Sequence, residues 1–262
     1  KAVQSGLAPD RGLYYPQQIN PLTNPFWDNF LSMDYNEIAL AAIEQFVGDE
    51  IPKNELNKIV KDTLTFPFTV VELNENIATL ELFHGPTMAF KDVGGRFMAR
   101  CLGYFNRTST EKITVLVATS GDTGGAVASG FLGIPGVEVV ILYPKGKVSH
   151  IQELQLTTQG QNITALEIDG VFDDCQDMVK TAFLDETLKP HRNLTSANSI
   201  NVARWLPQSF YYFFAVQELM KRKVNKPFVF SVPCGNFGNI CAGFIARELG
   251  LPISHFIAST NQ

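Results

Sequence analysis

Ile113-Thr-Val-Leu-Val-Ala-Thr-Ser-Gly-Asp-Thr-Gly-Gly-Ala-Val-Ala-Ser-Gly-Phe-Leu132 holds a strand, a turn and a helix in twenty consecutive positions. ITVLVAT (113–119) is an unbroken apolar, β-branched run, the pattern of a strand covered on both faces. Hydroxyls and glycines follow, and then a small-residue segment over 123–132 that reads as a helix. The same alternation extends outward. IATLELF (77–83), VEVVILYP (137–144), NITALEID (162–169), FVFSVP (228–233) and SHFIAS (254–259) read as strands. Helical patterns over 92–105, 172–183, 202–221 and 239–249 lie between them. Strands that are continuous apolar runs and alternate with helices predict an α/β fold, with mostly parallel sheet covered by helices on both faces.

Before residue 77 the texture differs. Gly12, Pro16, Pro21 and Pro25 interrupt the chain, with Phe26, Trp27 and Phe30 among them. NEIALAAIEQFVGDEIP then predicts a helix whose apolar face is Ile38, Ala41, Ala42, Phe46 and Val47, with Gly48 near its end; LNKIVKDTL (56–64) predicts another. These patterns divide the chain into a mainly helical region at 1–76 and an α/β region at 77–262.

Composition narrows the function. The chain has 262 residues, 45% of them hydrophobic and 18% charged, which indicates a packed globular protein. The net charge of −5 argues against a nucleic-acid-binding surface, though not against a local basic pocket. No apolar run reaches the roughly 18–20 residues of a membrane span. The opening KAVQSGLAPDRG has no apolar signal core, and it lacks the Met of a native start. Cys101, Cys175, Cys234 and Cys241 form no CxxC pair and no metal-finger spacing with His, so neither a disulfide framework nor a metal site is expected, and a reducing, cytoplasmic setting is the simplest reading.

In such sheets ligands bind beyond the carboxyl ends of the strands, so chemistry is sought in the strand-to-helix turns. In FHGPTMAFKD (83–92) a Gly-Pro turn leads to Lys91 at a helix start. The helix dipole there disfavours a cation, and desolvation lowers the amine pKa further, as Schiff-base chemistry requires. A solvated Lys91 beside Asp92 is the plain alternative. In ATSGDTGG (118–125) the hydroxyls of Thr119, Ser120 and Thr123 and the N–H groups around Gly121 and Asp122 form a seat for a carboxylate or phosphate. It is neither a Walker A loop nor GxGxxG nor a G-x-S-x-G elbow, and a capped helix start is the plain alternative. In PCGNFGN (233–239), Gly235 and Gly238 permit close approach, and the N–H groups from Gly235 through Asn236, Phe237, Gly238 and Asn239 suit a phosphate; an Asn/Gly turn with Asn239 as cap is the alternative. An amine nucleophile, an anion seat and a phosphate cup at one edge of one sheet together suit pyridoxal 5'-phosphate.

GLAPDRGLYYP (6–16), FVGDEIP (46–52), LELFHGPTMAFKDVGGRFMAR (80–100), VATSGDTGGAVA (117–128), VVILYPKGK (139–147), LTSANSINVARW (194–205) and VPCGNFGN (232–239) together resemble the threonine synthase family, in its longer class with an N-terminal domain. The likeness spans essentially the whole chain. Its wider relatives are the tryptophan-synthase-like, fold type II pyridoxal-phosphate enzymes. It implies conversion of O-phospho-L-homoserine and water to L-threonine and phosphate, the cofactor serving as electron sink. Lys91 would hold the cofactor and move protons along the substrate carbons. Asp122 and the 235–239 loop would contact the cofactor; Thr119, Ser120, Gly121 and Thr123 would hold the substrate carboxylate. Many relatives carry Asn where Asp122 stands, and an anionic Asp122 would repel a carboxylate, so its backbone or a hydrogen bond elsewhere is expected to matter more. Ser196, Asn198, Asn201 and Arg204 are candidates for the substrate phosphate. His84 is placed either near the site or as a loop cap.

Two other readings compete: a related enzyme such as a serine/threonine dehydratase or a cysteine-synthase-like enzyme, and a non-catalytic relative, against which Lys91 speaks. Members of the family continue well past Gln262, so the likeness implies a partial chain, with the partner of the pyridine nitrogen further on.

Overall fold

The computed structural model describes residues 1–8, 10, 12–188, 190–224 and 226–260. Pro9 and Arg11 of the opening motif, and Asn261 and Gln262 at the end, lie outside them. In chain order the elements are α1 (Ala2–Ser5), α2 (Asn24–Asn29), α3 (Tyr35–Val47), α4 (Lys53–Thr63), β1 (Thr69–Glu72), β2 (Ala78–Glu81), α5 (Asp92–Asn106), β3 (Ile113–Ala118), α6 (Asp122–Phe131), β4 (Val137–Pro144), α7 (His150–Thr157), β5 (Ile163–Ile168), α8 (Phe172–Leu184), β6 (Asn193–Ser196), α9 (Val202–Trp205), α10 (Ser209–Lys221), β7 (Phe228–Pro233), α11 (Gly238–Glu248) and β8 (Ile253–Ser259). They form two compact units: Lys1–Tyr14 with Gly85–Arg204, and Tyr15–His84 with Trp205–Gln262.

The first unit is built on a parallel sheet in the order β5-β4-β3-β6. Every residue of β3 is buried. Leu116 and Ala118, with Leu142 of β4, pack on Cys175 and Val179 of α8. The alternate residues Val115, Val117, Val139 and Ile141 are buried too, so the opposite face is also covered. Each such side chain stabilises the fold by about 1.5–3 kcal/mol relative to exposure. From β3 the chain steps outward to β4 and β5, then returns to β6 on the other side of β3. That reversal opens a crevice at the carboxyl ends of β3 and β6.

Glycines of α5 and α6 let these two helices pack closely: a Cβ on Gly130 of α6 would meet the Gly95 backbone of α5. A Cβ on Gly94 of α5 would stand 2.1 Å from the Arg204 carbonyl oxygen, so only a glycine lets the two backbones approach.

The second unit holds the antiparallel pair β1–β2 and the parallel pair β7–β8. Its many phenylalanines cluster around α10. Phe26, Trp27 and Phe30 meet Phe213. Tyr35 stacks on Phe214 at 4.2 Å, and Phe68 packs against both Tyr211 and Phe214. Buried Gln217 donates to the carbonyls of Phe30 and Met33, at 2.6 and 2.8 Å, tying the Pro-rich segment to α10.

Several expectations change. The strands described belong to separate sheets rather than one: the lysine turn follows β2, the hydroxyl turn follows β3 and the 233–239 turn follows β7, each strand in a different sheet. The helix expected over 202–221 breaks into α9, a 3-10 turn at Leu206–Gln208 and α10, because Pro207 offers no N–H. The buried stripe of α3 is Ile38, Ala39, Ala42 and Ile43; Ala41, Phe46 and Val47 are only half-buried. Phe237, not Asn239, caps α11. The short α1, α2 and α7 and the strands β1 and β6 arise where no periodic run announced them.

Candidate active site

Lys91 is the N-cap of α5, and its amine is set by the loop before it. Met88 takes a left-handed backbone (φ 58°), and the Met88 N–H closes onto the Gly85 carbonyl at 3.1 Å. Asp92, only 1% exposed, accepts from the backbone and hydroxyl of Thr87. Gln155 of α7 donates to the Thr87 carbonyl at 3.4 Å. The lysine side chain is 27% exposed, 4.7 Å over the Phe90 ring, and its Nζ lies 3.8 Å from Asp122 Oδ2. Burial is the main force lowering the proton affinity of Lys91; Asp122 opposes it, and the Arg204 guanidinium adds to it.

The second turn ends β3. Thr119 is buried, and its hydroxyl is fully engaged. It accepts from the N–H of Gly121 (3.0 Å) and of Gly124 (2.8 Å) and donates to the Gly121 carbonyl (3.1 Å). This hydroxyl shapes the loop. Gly121 has φ 140°, a region closed to ordinary side chains, and the loop thereby presents the Ser120, Asp122 and Thr123 amides at the head of α6. Ser120 and Asp122 are exposed. Asp122 Oδ1 accepts from Gln152 Nε2 at 2.7 Å, the partner that the sequence left unspecified for this carboxylate.

The segment after β6 lies beside this turn. Asn198 Nδ2 donates to the carbonyl of Ala118, the last residue of β3, at 2.9 Å. The Ser196 hydroxyl is paired within the turn, accepting from the Asn198 N–H and meeting Asn198 Oδ1. Asn201 is buried and donates to the carbonyls of Val3 and Ser196 while accepting from the Ala203 N–H. These three side chains hold the segment in place. Arg204 is 3% exposed rather than solvated on a helix surface, and its charge acts on both Lys91 and Asp92.

In the second unit, Phe237 caps α11 in a left-handed conformation (φ 58°, ψ 2°). The Asn239 side chain turns back, donating to the Pro233 carbonyl at 2.6 Å. Among the described residues, the N–H groups of Gly235 through Asn239 have no backbone acceptor. Such orphan donors at a helix head fit a phosphate. His84 pairs with Glu81 at 2.7 Å.

Thus Lys91, Asp122, Arg204 and the hydroxyl turn come together in the first unit, while Gly235–Asn239 belong to the second. Sequence reading missed Thr87, Asp92, Gln152 and Gln155. The spacing of Ser149 and Gln152, a capping box opening α7, was the available signal for Gln152.

Residues 1–64 match a family profile described as the threonine synthase N terminus, and residues 68–261 match one described as pyridoxal-phosphate dependent enzyme. The chain is 47% identical to the threonine synthase of Escherichia coli, an alignment covering 100% of this chain and 60% of that protein. The crystal structure of an Escherichia coli threonine synthase superposes with a TM-score of 0.91 over 99% of this chain and 60% of that one. A pyridoxal-phosphate-bound threonine synthase from Brucella melitensis gives 0.91 at 41% identity, covering 99% of this chain and 57% of its own. The chain therefore spans about 60% of the length of such relatives. No helix among the described residues is long and apolar enough to cross a membrane.

Proposed function

The chain belongs to the pyridoxal-phosphate dependent enzymes, and from that premise we propose that it acts as a threonine synthase, taking O-phospho-L-homoserine and water to L-threonine and phosphate. Residues 1–76 form its N-terminal domain and 77–262 its catalytic domain, at work in the cytoplasm. The observation that carries the reading is the Lys91 amine, half-buried at a helix head and 3.8 Å from Asp122. Residues of each unit fit the cofactor chemically: in the first, a desolvated amine for its aldehyde, and in the second, the unbonded N–H groups at 235–239 for its phosphate.

When bound, pyridoxal phosphate withdraws electrons from the substrate carbons and so stabilises carbanions. Lys91 holds the cofactor and then serves as acid and base. Burial and Arg204 make Nζ release a proton more readily than an ordinary lysine, and Asp122 limits that effect, which suits Nζ to take up and return a proton. Ser120 and Thr123 bind the substrate carboxylate through amides and hydroxyls at the head of α6, while Gly121, its N–H held by Thr119, shapes the turn. Asp122, with its two oxygens turned to Gln152 and Lys91, would act on the lysine that holds the cofactor and not as a ligand of the carboxylate. Arg204 supplies positive charge for the substrate phosphate on a segment shaped by Ser196, Asn198 and Asn201. Thr119 builds the carboxylate seat without touching substrate.

The test is release of inorganic phosphate from O-phospho-L-homoserine set against release of ammonia from L-threonine, with pyridoxal phosphate present. Phosphate release dominates on this account. Dominant ammonia release assigns the chain to a dehydratase instead.

A further inference from the structure

Gln152 sits at the third position of α7, in a capping box with Ser149. Its Oε1 accepts the Ser149 N–H at 3.1 Å, and the Ser149 hydroxyl accepts the Gln152 N–H at 3.3 Å. That bond fixes which end of the carboxamide is which. With the oxygen held by Ser149, the NH2 group must point the other way, and it donates to Asp122 Oδ1 at 2.7 Å. The other oxygen of Asp122 faces Lys91 Nζ. The fit is close, since a Cβ on Gly121 would stand 2.4 Å from the Gln152 amide nitrogen.

A Glu would serve this cap at least as well and would suit the helix dipole better. A Glu has no donor for Asp122, however, and would set two carboxylates against each other. The residue present is the one that satisfies both neighbours at once.

We infer that Gln152 is a positioning residue for the lysine: its carboxamide, oriented by the Ser149 N–H, holds the Asp122 carboxylate in the rotamer that faces Lys91. The inference deepens the proposed function, since it gives Lys91 the role of the reacting amine. The charged groups that act on that amine are Asp122 from α6 and Arg204 from α9. Only the first is adjustable through α7.

The experiment is a double-mutant cycle read on the amine itself. The chain without cofactor is trace-labelled with acetic anhydride across a pH series, and Lys91 acetylation is followed by peptide mass spectrometry. Asp122→Asn removes the counter-charge and raises the Lys91 labelling rate near neutral pH about two- to fivefold. Gln152→Met, similar in size and lacking a donor, gives a rise of the same sign. Adding Asp122→Asn to Gln152→Met then changes little. The inference is overturned if Gln152→Met leaves the rate at the wild-type value, or if Asp122→Asn keeps its full effect in the Gln152→Met background. Should Gln152→Met unfold, Gln152→Glu keeps the acceptor for Ser149. It is expected to melt like wild type yet abolish the Asp122→Asn effect, and retention of the full effect overturns the inference. Labelling needs no cofactor. If pyridoxal phosphate gives no visible band with the wild-type chain while the cycle behaves as stated, the proposed function fails and the role of Gln152 stands.

Discussion

The buried Asp92 carboxylate accepts both the backbone N–H of Thr87, at 3.0 Å, and its hydroxyl, at 2.5 Å. These bonds close the loop that delivers Lys91, the residue immediately before Asp92 in the chain. Asp92→Ala leaves two Thr87 donors unsatisfied and is expected to lower stability by about 1–3 kcal/mol in urea unfolding, with a larger proportional loss of cofactor affinity. Asp92→Asn keeps an acceptor for the N–H and a donor for the hydroxyl, and is expected to fold.

The same carboxyl predicts a pH dependence. Burial holds the Asp92 pKa above the ordinary aspartate value, against the pull of the Thr87 donors and of Arg96 and Arg204. Just above that ordinary value the folded chain keeps a proton that the unfolded chain has released. Its contribution to stability therefore falls as pH rises through that window. Urea midpoints measured across the acid range should show this decline in wild type and a flatter profile in Asp92→Asn.

Thr119 gives a sharper contrast between isosteres. Thr119→Val keeps the shape but loses one donor and two acceptor contacts, leaving the Gly121 and Gly124 amides without partners. A loss of about 1–3 kcal/mol is expected, with substrate KM raised through distortion of the 119–124 turn. Thr119→Ser retains the hydroxyl and should stay near wild type. Near-wild-type behaviour of Thr119→Val would remove Thr119 from the architecture of the site.

The contact between Gly94 and Arg204 is backbone against backbone, so relief requires a helix to move. Gly94→Ala should destabilise by about 1–3 kcal/mol or more and should be worse than Ala substitution at a half-buried position of α5 such as Arg100. Circular dichroism melts compare the two directly.

The sequence made the parallel sheet legible because β3 and β4 are continuous apolar runs, a pattern that requires cover on both faces. Lys91, Asp122 and Asn198 were legible because hydroxyls, amides and glycines crowd the strand ends there. The partition among sheets was not, since strand pairing depends on tertiary packing that no local run encodes. Pairing also hid the use of Thr119, Ser196 and Asn201: residue type shows that a side chain can bond, not that backbone groups already saturate it. Gln152 escaped notice for the converse reason. Its partner, Asp122, is 30 positions away, and only the fold brings α7 beside that turn.

The central claim is that the Lys91 amine holds pyridoxal phosphate. The most direct measurement is the visible absorbance of the chain after incubation with the cofactor and removal of the excess. The account predicts a band in wild type that is abolished in Lys91→Ala, with Lys91→Ala still folded by circular dichroism. A band of equal strength in Lys91→Ala, or no band in wild type, would contradict it.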